Sequence, residues 1–277
     1  MKKLTAIILV LITFVTQAQP LDTLKNNWKP SLVLCAGINQ IAFSNWVKGG
    51  ENSTAWNFLE DFHYDKIDNP VTIKNQLKVT YGRSKTSGNE SRTTDNDLYI
   101  ENLLSYNVGW AVSPFIANAV RTQISTGYDY KSSPAIKIAD FFDPGYVTQT
   151  IGFAYDKYPN IITRLGIGFQ EIFTKYYRRY TDPESLEKTF KFETGVESVT
   201  DINYKLDENI VYSCKFRLFS QFNSLGVWDI RFDNIIAAKI SKYISVNFTY
   251  LLIYEKAQTP LTQTKEGLQV GITYTVF

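Results

Sequence analysis

His63 is the single histidine of the 277-residue chain, and it lies between Asp61 and Asp65 at alternating positions. A histidine oriented by a carboxylate is the general base of many hydrolases, so this spacing could activate a serine or a water molecule. No recognisable serine motif accompanies it, and on a strand all three side chains would share one face. The sequence therefore favours a hydrated histidine and a non-enzymatic protein, and it leaves an enzyme open.

Metal and nucleic-acid chemistry find little support in the composition. The two cysteines, Cys35 and Cys214, form no Cys-x-x-Cys pair, and one histidine is too few for an ordinary zinc site. A polar stretch at 89–97 could hold calcium but lacks the EF-hand spacing. The formal net charge is +2 with no basic stripe. We expect no metal, no cofactor, no nucleic-acid partner and no disulfide.

The N-terminus has the pattern of a secretory signal peptide. Two lysines at 2–3 precede an apolar run at 4–15, and Thr16, Gln17 and Ala18 form a cleavage site with small residues at its ends. The apolar run is shorter than the roughly 20 residues that a spanning helix needs. We predict a signal peptide over 1–18 and one domain over 19–277.

Alternating apolar and polar residues dominate the rest of the chain. In 228–240, for example, Trp228, Ile230 and Phe232 alternate with charged residues such as Asp229 and Arg231. Period-2 alternation predicts half-buried strands. We count twelve, near 31–45, 55–66, 70–84, 96–110, 114–130, 146–156, 160–177, 187–206, 209–222, 227–241, 243–256 and 264–277.

These strands predict an all-β fold, a transmembrane antiparallel up-and-down β-barrel of about 12 strands. Short connections alternate with longer ones, which is the pattern of periplasmic turns and extracellular loops. A soluble β-sandwich also shows alternation, but its strands are typically about five or six residues long. The many aromatic residues, 18 Tyr, 18 Phe and 5 Trp, also suit a bilayer interface.

The last residues, 267–277, read GLQVGITYTVF and are apolar at every second position. In a closed barrel the last strand must pair with the first, so we expect this strand to close the sheet. The terminal Phe277 resembles the C-terminal signature of outer-membrane proteins that the barrel-assembly machinery reads. It departs from that signature because it is out of phase with the apolar residues before it.

The first hairpin carries the most specific motif, Gly-x-Asn at 37–39 followed by Asn-Trp-x-x-Gly-Gly-Glu-Asn-Ser at 45–53. It resembles an uncharacterised family of Bacteroidetes outer-membrane barrels, a domain-of-unknown-function family. The resemblance implies the location and the fold, and it implies no activity. The loop is also our candidate binding loop, although it could equally be a glycine turn anchored at the interface. Its residues are Trp46, Gly49, Gly50, Glu51, Asn52 and Ser53.

Charged residues of both signs occupy the phase that would face the barrel lumen. Mixed signs suggest ion pairs in a narrow interior, whereas a selective pore usually carries a ring of one sign. The main lumen candidates are Asp61, His63, Arg121, Glu193, Glu197, Lys215, Arg217, Asp229, Arg231 and Asp233, with Glu101, Arg164, Lys191 and Asp201 on the same phase.

Three functions remain open on sequence alone. The first is an outer-membrane barrel that is structural or binds a partner or ligand through its extracellular loops. The second is a small-solute channel, and the third is an outer-membrane lipid-modifying enzyme. The expected location is the outer membrane of a Gram-negative bacterium. The expected partners are outer-membrane lipid, the barrel-assembly machinery during biogenesis and an envelope protein.

Overall fold

A computed structural model describes residues 27–44, 51–158, 160–256 and 258–275. These residues form β-strands and two short 3₁₀ turns, and none of their helical segments is long and apolar enough to cross a membrane. The strands are β1 (Trp28–Ile41), β2 (Ser53–Asp68), β3 (Val71–Thr86), β4 (Arg92–Tyr106), β5 (Ser113–Thr122), β6 (Gly127–Asp129), β7 (Ile136–Ala139), β8 (Gly145–Tyr158), β9 (Ile161–Phe173), β10 (Phe190–Asp207), β11 (Ile210–Gln221), β12 (Asp229–Lys239), β13 (Ile244–Tyr254) and β14 (Gln263–Thr275).

Twelve of these strands close into one antiparallel barrel, while β6 and β7 form a separate two-stranded sheet. Each barrel strand pairs with its neighbours along the chain, and β14 pairs with β1 from Val33 opposite Thr275 to Gly37 opposite Gly271. The predicted fold class and the predicted closure between the last and first strands are therefore confirmed. The final two residues, 276 and 277, lie outside the described residues.

A glycine is needed where the barrel closes. A Cβ at Gly271 would lie 2.4 Å from the carbonyl oxygen of Ala36 on the opposite strand. That distance is far below a van der Waals contact, so a larger residue would push the two closing strands apart. The sequence around Gly271 shows ordinary apolar–polar alternation, so the need for glycine follows only from its pairing with the backbone of β1.

Four predicted strands end at least four residues early: those placed over 31–45, 96–110, 114–130 and 160–177 end at Ile41, Tyr106, Thr122 and Phe173. The strand predicted over 114–130 ends at Thr122, because the side-chain oxygen of Asn96 accepts hydrogen bonds from the backbone N–H groups of Ile124 and Ser125 and draws the chain out of the ladder. The chain then forms the unpredicted β6–β7 hairpin. The strand predicted to reach residue 110 ends at Tyr106.

The segment after Tyr106 is a turn. Asn107 bonds to the carbonyl of Pro70 through its backbone N–H, and its side-chain oxygen accepts the N–H of Gly109. Gly109 has φ +81°, a conformation that favours glycine. Val108 and Trp110, which fall within the strand predicted over 96–110, therefore lie in the turn, and the predicted end of that strand was wrong.

The connections at the two ends of the barrel differ in length. One end carries 69–70, 107–112, 159–160, 208–209 and 240–243, and the other carries 42–52, 87–91, 123–144, 174–189, 222–228 and 255–262. All but one of the first group are four residues or shorter, and all but one of the second group are seven or longer. By the usual asymmetry of membrane barrels, the first end is periplasmic and the second extracellular.

The outer surface of the barrel is apolar, and tyrosines lie along its periplasmic end. Ile38 and Leu268 are 72% and 73% exposed, although both are large and apolar. So large an exposed apolar surface suits hydrocarbon rather than water. Exposed tyrosines follow the periplasmic end around the barrel, as in an interfacial girdle; they are Tyr106, Tyr155, Tyr204, Tyr243 and Tyr274, with Tyr64 on β2.

Candidate functional site in the barrel lumen

Four charged side chains meet in the middle of the lumen. Arg164 on β9 bonds Glu101 on β4 (Nη1 to Oε1, 2.8 Å) and Asp201 on β10 (Nη2 to Oδ2, 2.9 Å). The ammonium of Lys215 on β11 contacts both carboxylates, at 3.2 Å from Asp201 Oδ1. Arg164 is only 4% exposed. We call these four residues, Glu101, Arg164, Asp201 and Lys215, the charged septum.

The septum crosses the barrel from one wall to another. Five strand spacings separate β4 from β11 in the ring of twelve, so the contact between Glu101 and Lys215 joins nearly opposite walls. Tyr99, the inward neighbour of Glu101 on β4, adds an aromatic surface. Its ring lies 4.5 Å from the guanidinium carbon of Arg121 and 5.2 Å from Nζ of Lys215. Both distances suit cation–π attraction.

A cavity lies on each side of the septum. The extracellular cavity measures about 310 Å³ and the periplasmic one about 890 Å³. Glu101, Arg164 and Lys215 line both cavities, as do Tyr99 and Arg121. The septum therefore separates two chambers, and neither chamber by itself runs the length of the barrel.

A second polar network follows one wall of the extracellular chamber. Arg217 bonds Glu197 (Nε to Oε1, 2.6 Å) and donates to Oε1 of Gln170 (2.8 Å). Gln170 and Gln221 in turn donate to the two oxygens of Glu193, at 3.0 and 2.7 Å. This network joins the neighbouring strands β9, β10 and β11, so it stiffens the wall and does not cross the lumen.

The remaining lumen residues proposed from the sequence are distributed over both chambers. Arg231 makes a two-pronged contact with Asp233, at 2.8 and 3.1 Å. Arg121 lies 3.9 Å from Asp97 through Nε, and its buried Nη1 has no hydrogen-bond partner within the described residues. The structure places Glu197, Arg217, Asp229 and Arg231 at the extracellular chamber, Asp61 and His63 at the periplasmic one, and Arg121, Lys215 and Asp233 at both.

The histidine of the hydrolase hypothesis lies in the periplasmic chamber. His63 Nε2 is 3.1 Å from Asp61 Oδ1 and 3.4 Å from Nε2 of Gln76. Ser31 is paired opposite His63 in the β1–β2 register, but no hydrogen bond joins the two side chains within the described residues. The Nε2 atom that would activate a serine is occupied by the carboxylate, so these groups do not form a catalytic triad.

Gln258, in the connection between β13 and β14, lies over the extracellular chamber. Gln258 donates through Nε2 to the hydroxyl of Tyr146 (3.2 Å), on the far wall, and to Oε2 of Glu255 (2.7 Å). Five strand spacings separate β13, where the loop begins, from β8, which carries Tyr146. The loop therefore reaches across the mouth as a lid.

Burial, with smaller contributions from Asp229 and Glu193, raises the pKa of Glu255, which lies outside the spanning strands, to about 7. The Gln258 contact and Arg217 oppose this shift, and Tyr146 and Tyr180 also face the group. Because the pKa of Glu255 is raised where its side chain is buried, the protonated carboxyl stabilises the closed lid. This stabilisation is fully present below the ordinary pKa of 4.5 and is lost as the pH rises through 7.

We therefore predict that the lid loosens between mildly acidic and mildly alkaline pH. The backbone N–H groups of Gln258 and Thr259 both bond the carbonyl of Glu255, so their hydrogen exchange reports lid closure. After correction for intrinsic rates, protection over 255–262 should fall as the pH rises. The Glu255→Gln variant keeps the amide contact and should lose this pH dependence; equal pH dependence in both proteins would contradict the assignment.

Two extracellular loops are joined by one buried carboxylate. Asp143 is 4% exposed and accepts the backbone N–H groups of Lys175, Tyr176 and Tyr177, at 2.9, 2.8 and 3.3 Å. Its own loop spans 123–144, and the three donors lie in the loop at 174–189. The carboxylate therefore fixes the two longest extracellular loops to each other.

The candidate binding loop is described only in part. Trp46, Gly49 and Gly50 lie outside the described residues. Asn52 bridges neighbouring segments, since its side-chain oxygen accepts the N–H of Phe43 (2.7 Å) and its carbonyl accepts the N–H of Ser87 (2.7 Å). Glu51 is exposed, and Ser53 begins β2. A binding role for this loop stays a prediction.

Three site residues were not predicted from the sequence. Tyr99, Tyr146 and Gln258 hold the septum and the lid, yet nothing in the sequence distinguishes them from other aromatic or amide residues. Inward phase was the available signal for Tyr99, which alternates with Leu98 and Ile100. Aromatic residues on barrel strands usually face lipid, and this preference argues against an inward position for Tyr99.

Comparison with known proteins gives one family and a set of similar architectures. Residues 38–128 match a family described as a protein of unknown function (DUF3078). No curated protein matches the chain. The translocator domain of the autotransporter NalP from Neisseria meningitidis is 8% identical and covers 98% of this chain and 95% of its own, with a TM-score of 0.38. The COG4313 outer membrane channel from Pseudomonas putida F1 is 12% identical and covers 94% and 99%, with a TM-score of 0.40.

The fold and the lumen together define the class of protein. A closed antiparallel barrel that is apolar outside and charged inside is a transmembrane β-barrel of the outer-membrane type. The family match over 38–128 confirms the resemblance to an uncharacterised family that the first hairpin indicated.

Proposed function

We propose that this chain is a closed outer-membrane barrel of a Gram-negative bacterium, exported through a signal peptide over 1–18. Its role is structural or consists of binding a partner or ligand through the extracellular loops, and it is not an open pore. Outer-membrane lipid surrounds it, the barrel-assembly machinery inserts it, and an envelope protein is the expected partner. Residues 1–18 lie outside the described residues, so the signal peptide rests on the sequence alone.

The charged septum is the observation that supports a closed lumen. Water-filled pores leave a continuous path between the two mouths, whereas here Glu101 and Lys215 meet from nearly opposite walls. Each is also tied to a third group, Arg164 or Asp201. Breaking one contact leaves the others in place, so thermal motion of a single side chain does not open the lumen.

The extracellular loops support a binding role. The Asp143 carboxylate joins two of them, and Gln258 of the lid bonds Tyr146 across the mouth. Loops fixed in this way present a defined surface, which lowers the entropy cost of binding.

A small-solute channel is the second candidate, and the two chambers favour it. They meet at the septum from opposite ends, so displacement of a few side chains would join them. A lipid-modifying enzyme has less support, because His63 faces the lumen and not the lipid.

Single-channel recording in planar bilayers tests the closed lumen. The purified barrel should give no conductance steps in molar KCl, at neutral pH and over the usual voltage range. Insertion is verified separately by protease protection of the reconstituted protein, and a general porin in the same lipid serves as the positive control. Stable open steps from the unmodified barrel would overturn the closed-lumen proposal and favour the channel.

A further inference from the structure

Four amide side chains form a row on the outer surface of the barrel. Asn75 on β3 is paired with Asn102 on β4, Asn102 with Asn118 on β5, and Asn118 with Gln149 on β8. Directly paired residues of neighbouring strands point to the same face. Asn102 shares the phase of the exposed Leu104 and Tyr106, while the alternate residues Leu103 and Ser105 are buried, so the whole row faces outward. We call it the amide row.

The amide row interrupts an aliphatic surface. Each member lies between two aliphatic residues of its own strand that share its outward phase. The flanking residues are Ile73 and Leu77 on β3, Ile100 and Leu104 on β4, Ile116 and Val120 on β5, and Val147 and Ile151 on β8. The members on β4, β5 and β8 therefore lie within the hydrocarbon belt, whereas Asn75 bonds the girdle residue Tyr64 near the periplasmic headgroups.

Hydrogen bonds within this chain satisfy only the β3–β4 end of the row. Asn102 donates to Asn75 Oδ1 (2.8 Å), and Asn75 donates to the carbonyl of Tyr64 (2.7 Å). The side chains of Asn118 and Gln149 make no hydrogen bond within the described residues. An amide without a partner is costly in hydrocarbon, because lipid tails can neither donate nor accept.

Another outward amide, on the far side of the barrel, has its partners. The side-chain oxygen of Asn234 on β12 accepts the hydroxyl of Tyr212 (2.7 Å), and its nitrogen donates to the carbonyl of Tyr250 (3.3 Å). Asn234 thus shows how this chain satisfies an outward amide when it does so internally. At the β5 and β8 end of the amide row, Asn118 and Gln149 have no such hydrogen-bond partners within the described residues.

We propose that the amide row is the centre of an interface between two copies of this barrel. An amide carries both donor and acceptor, so the same row on a second copy supplies the missing partners. Both copies insert in the same direction, which requires a two-fold axis along the membrane normal. Rows follow the hydrogen-bond direction and are inclined to that axis, so the two rows cross, and the proposed crossing lies at Asn118, between Asn102 and Gln149.

The oligomeric state of the purified barrel tests this directly. We expect native mass spectrometry of the barrel in mild detergent to show a dimer that dissociates on dilution. The double variant Asn102→Leu, Asn118→Leu should raise the dissociation constant about tenfold or more, the effect of removing one or two hydrogen bonds in an apolar medium. The matched variant Asn234→Leu should leave the dimer unchanged. Heat-modifiable gel mobility verifies that every variant is folded.

Cysteine cross-linking in membranes locates the contact. Ile116 and Ile236 are both outward and exposed, on β5 next to the row and on β12 far from it. The natural cysteines, Cys35 and Cys214, are free and buried and are common to both variants. Ile116→Cys should form a disulfide-linked dimer under mild oxidation, and Ile236→Cys should not.

A monomeric barrel by both methods would overturn the proposal and leave the row to a different protein or to bound lipid. A dimer that the double leucine variant does not weaken, or that cross-links equally through Ile236→Cys, would also overturn it, because the interface would then lie elsewhere. Neither result bears on the closed lumen, which conductance measures independently.

Discussion

Replacing both Glu101 and Lys215 by alanine should convert a silent barrel into a conducting one. Together these residues make the contact that joins nearly opposite walls of the lumen, and both line the two chambers. The double replacement leaves the net charge unchanged. Arg164 and Asp201 keep their mutual contact along the β9–β10 wall. The chambers should then merge, and planar-bilayer recordings should show resolved open steps.

The matched control is the double variant Glu197→Ala, Arg217→Ala. It also removes one buried ion pair of balanced charge, but that pair joins the neighbouring strands β10 and β11 and lies on one wall. Its lumen should stay closed. Steps from both variants would mean that any lost ion pair opens the barrel. Silence from the first variant, with its insertion verified, would mean that the lid or another group closes the lumen.

The barrel itself was predictable from the sequence because strand periodicity is a local property. A residue and its second neighbour share a face, so the phase of Ile230 and Phe232 against Arg231 can be read without knowing the fold. The alternation of short and longer connections then fixed the topology. Closure by the final strand followed from the requirement that a membrane sheet have no free edge.

The septum was only partly predictable, because it depends on distances across the barrel. The sequence placed Glu101, Arg164, Asp201 and Lys215 on the inward phase, but phase does not determine which inward residues meet. That depends on the strand order and on the stagger between strands, which set the height of each side chain. A contact between residues 101 and 215 leaves no local signal.

The amide row shows a different limit. Alternation puts Ile73 and Leu77 on one face of β3, and Ile100 and Leu104 on one face of β4, although a polar residue lies between the members of each pair. Such exceptions look like noise in a single strand. They become a feature only when the register aligns Asn75, Asn102 and Asn118 with Gln149 across four strands. Glu60, outward on β2 between Phe58 and Phe62, is a further exception, and it has no ion pair within the described residues.

Strand ends were missed for a related reason. The outward phase of Val108 and Trp110 matches the strand before them, so alternation alone extends that strand by four residues. The chain instead turns at Asn107, where a side-chain oxygen takes a backbone N–H that the ladder would otherwise use. Competition between side-chain and backbone hydrogen bonds decides such boundaries, and periodicity does not report it.

On β12, Phe232→Arg should destabilise the barrel much more than Arg231→Phe, the corresponding change at the adjacent residue. Phe232 faces outward, and its ring packs edge-on against Phe216 with centroids 5.5 Å apart. Phe232→Arg puts a charge into hydrocarbon, which costs about 2–4 kcal/mol near the midplane and less toward the interfaces. Arg231→Phe stays on the wet lumen side and loses the contact with Asp233, which is worth about 1 kcal/mol or less.

Urea unfolding in lipid bilayers, with folded fractions read by gel mobility, compares the two variants. Phe232→Arg should lower the free energy of unfolding by more than Arg231→Phe does. Phe232→Leu is the matched control, since it removes the ring contact without adding charge, and it should fall between the unmodified barrel and Phe232→Arg. Equal losses for the arginine and phenylalanine variants would mean that both faces of β12 are buried in protein. The reverse order would mean that the strand is shifted by one residue, because such a shift exchanges the two faces of the whole strand.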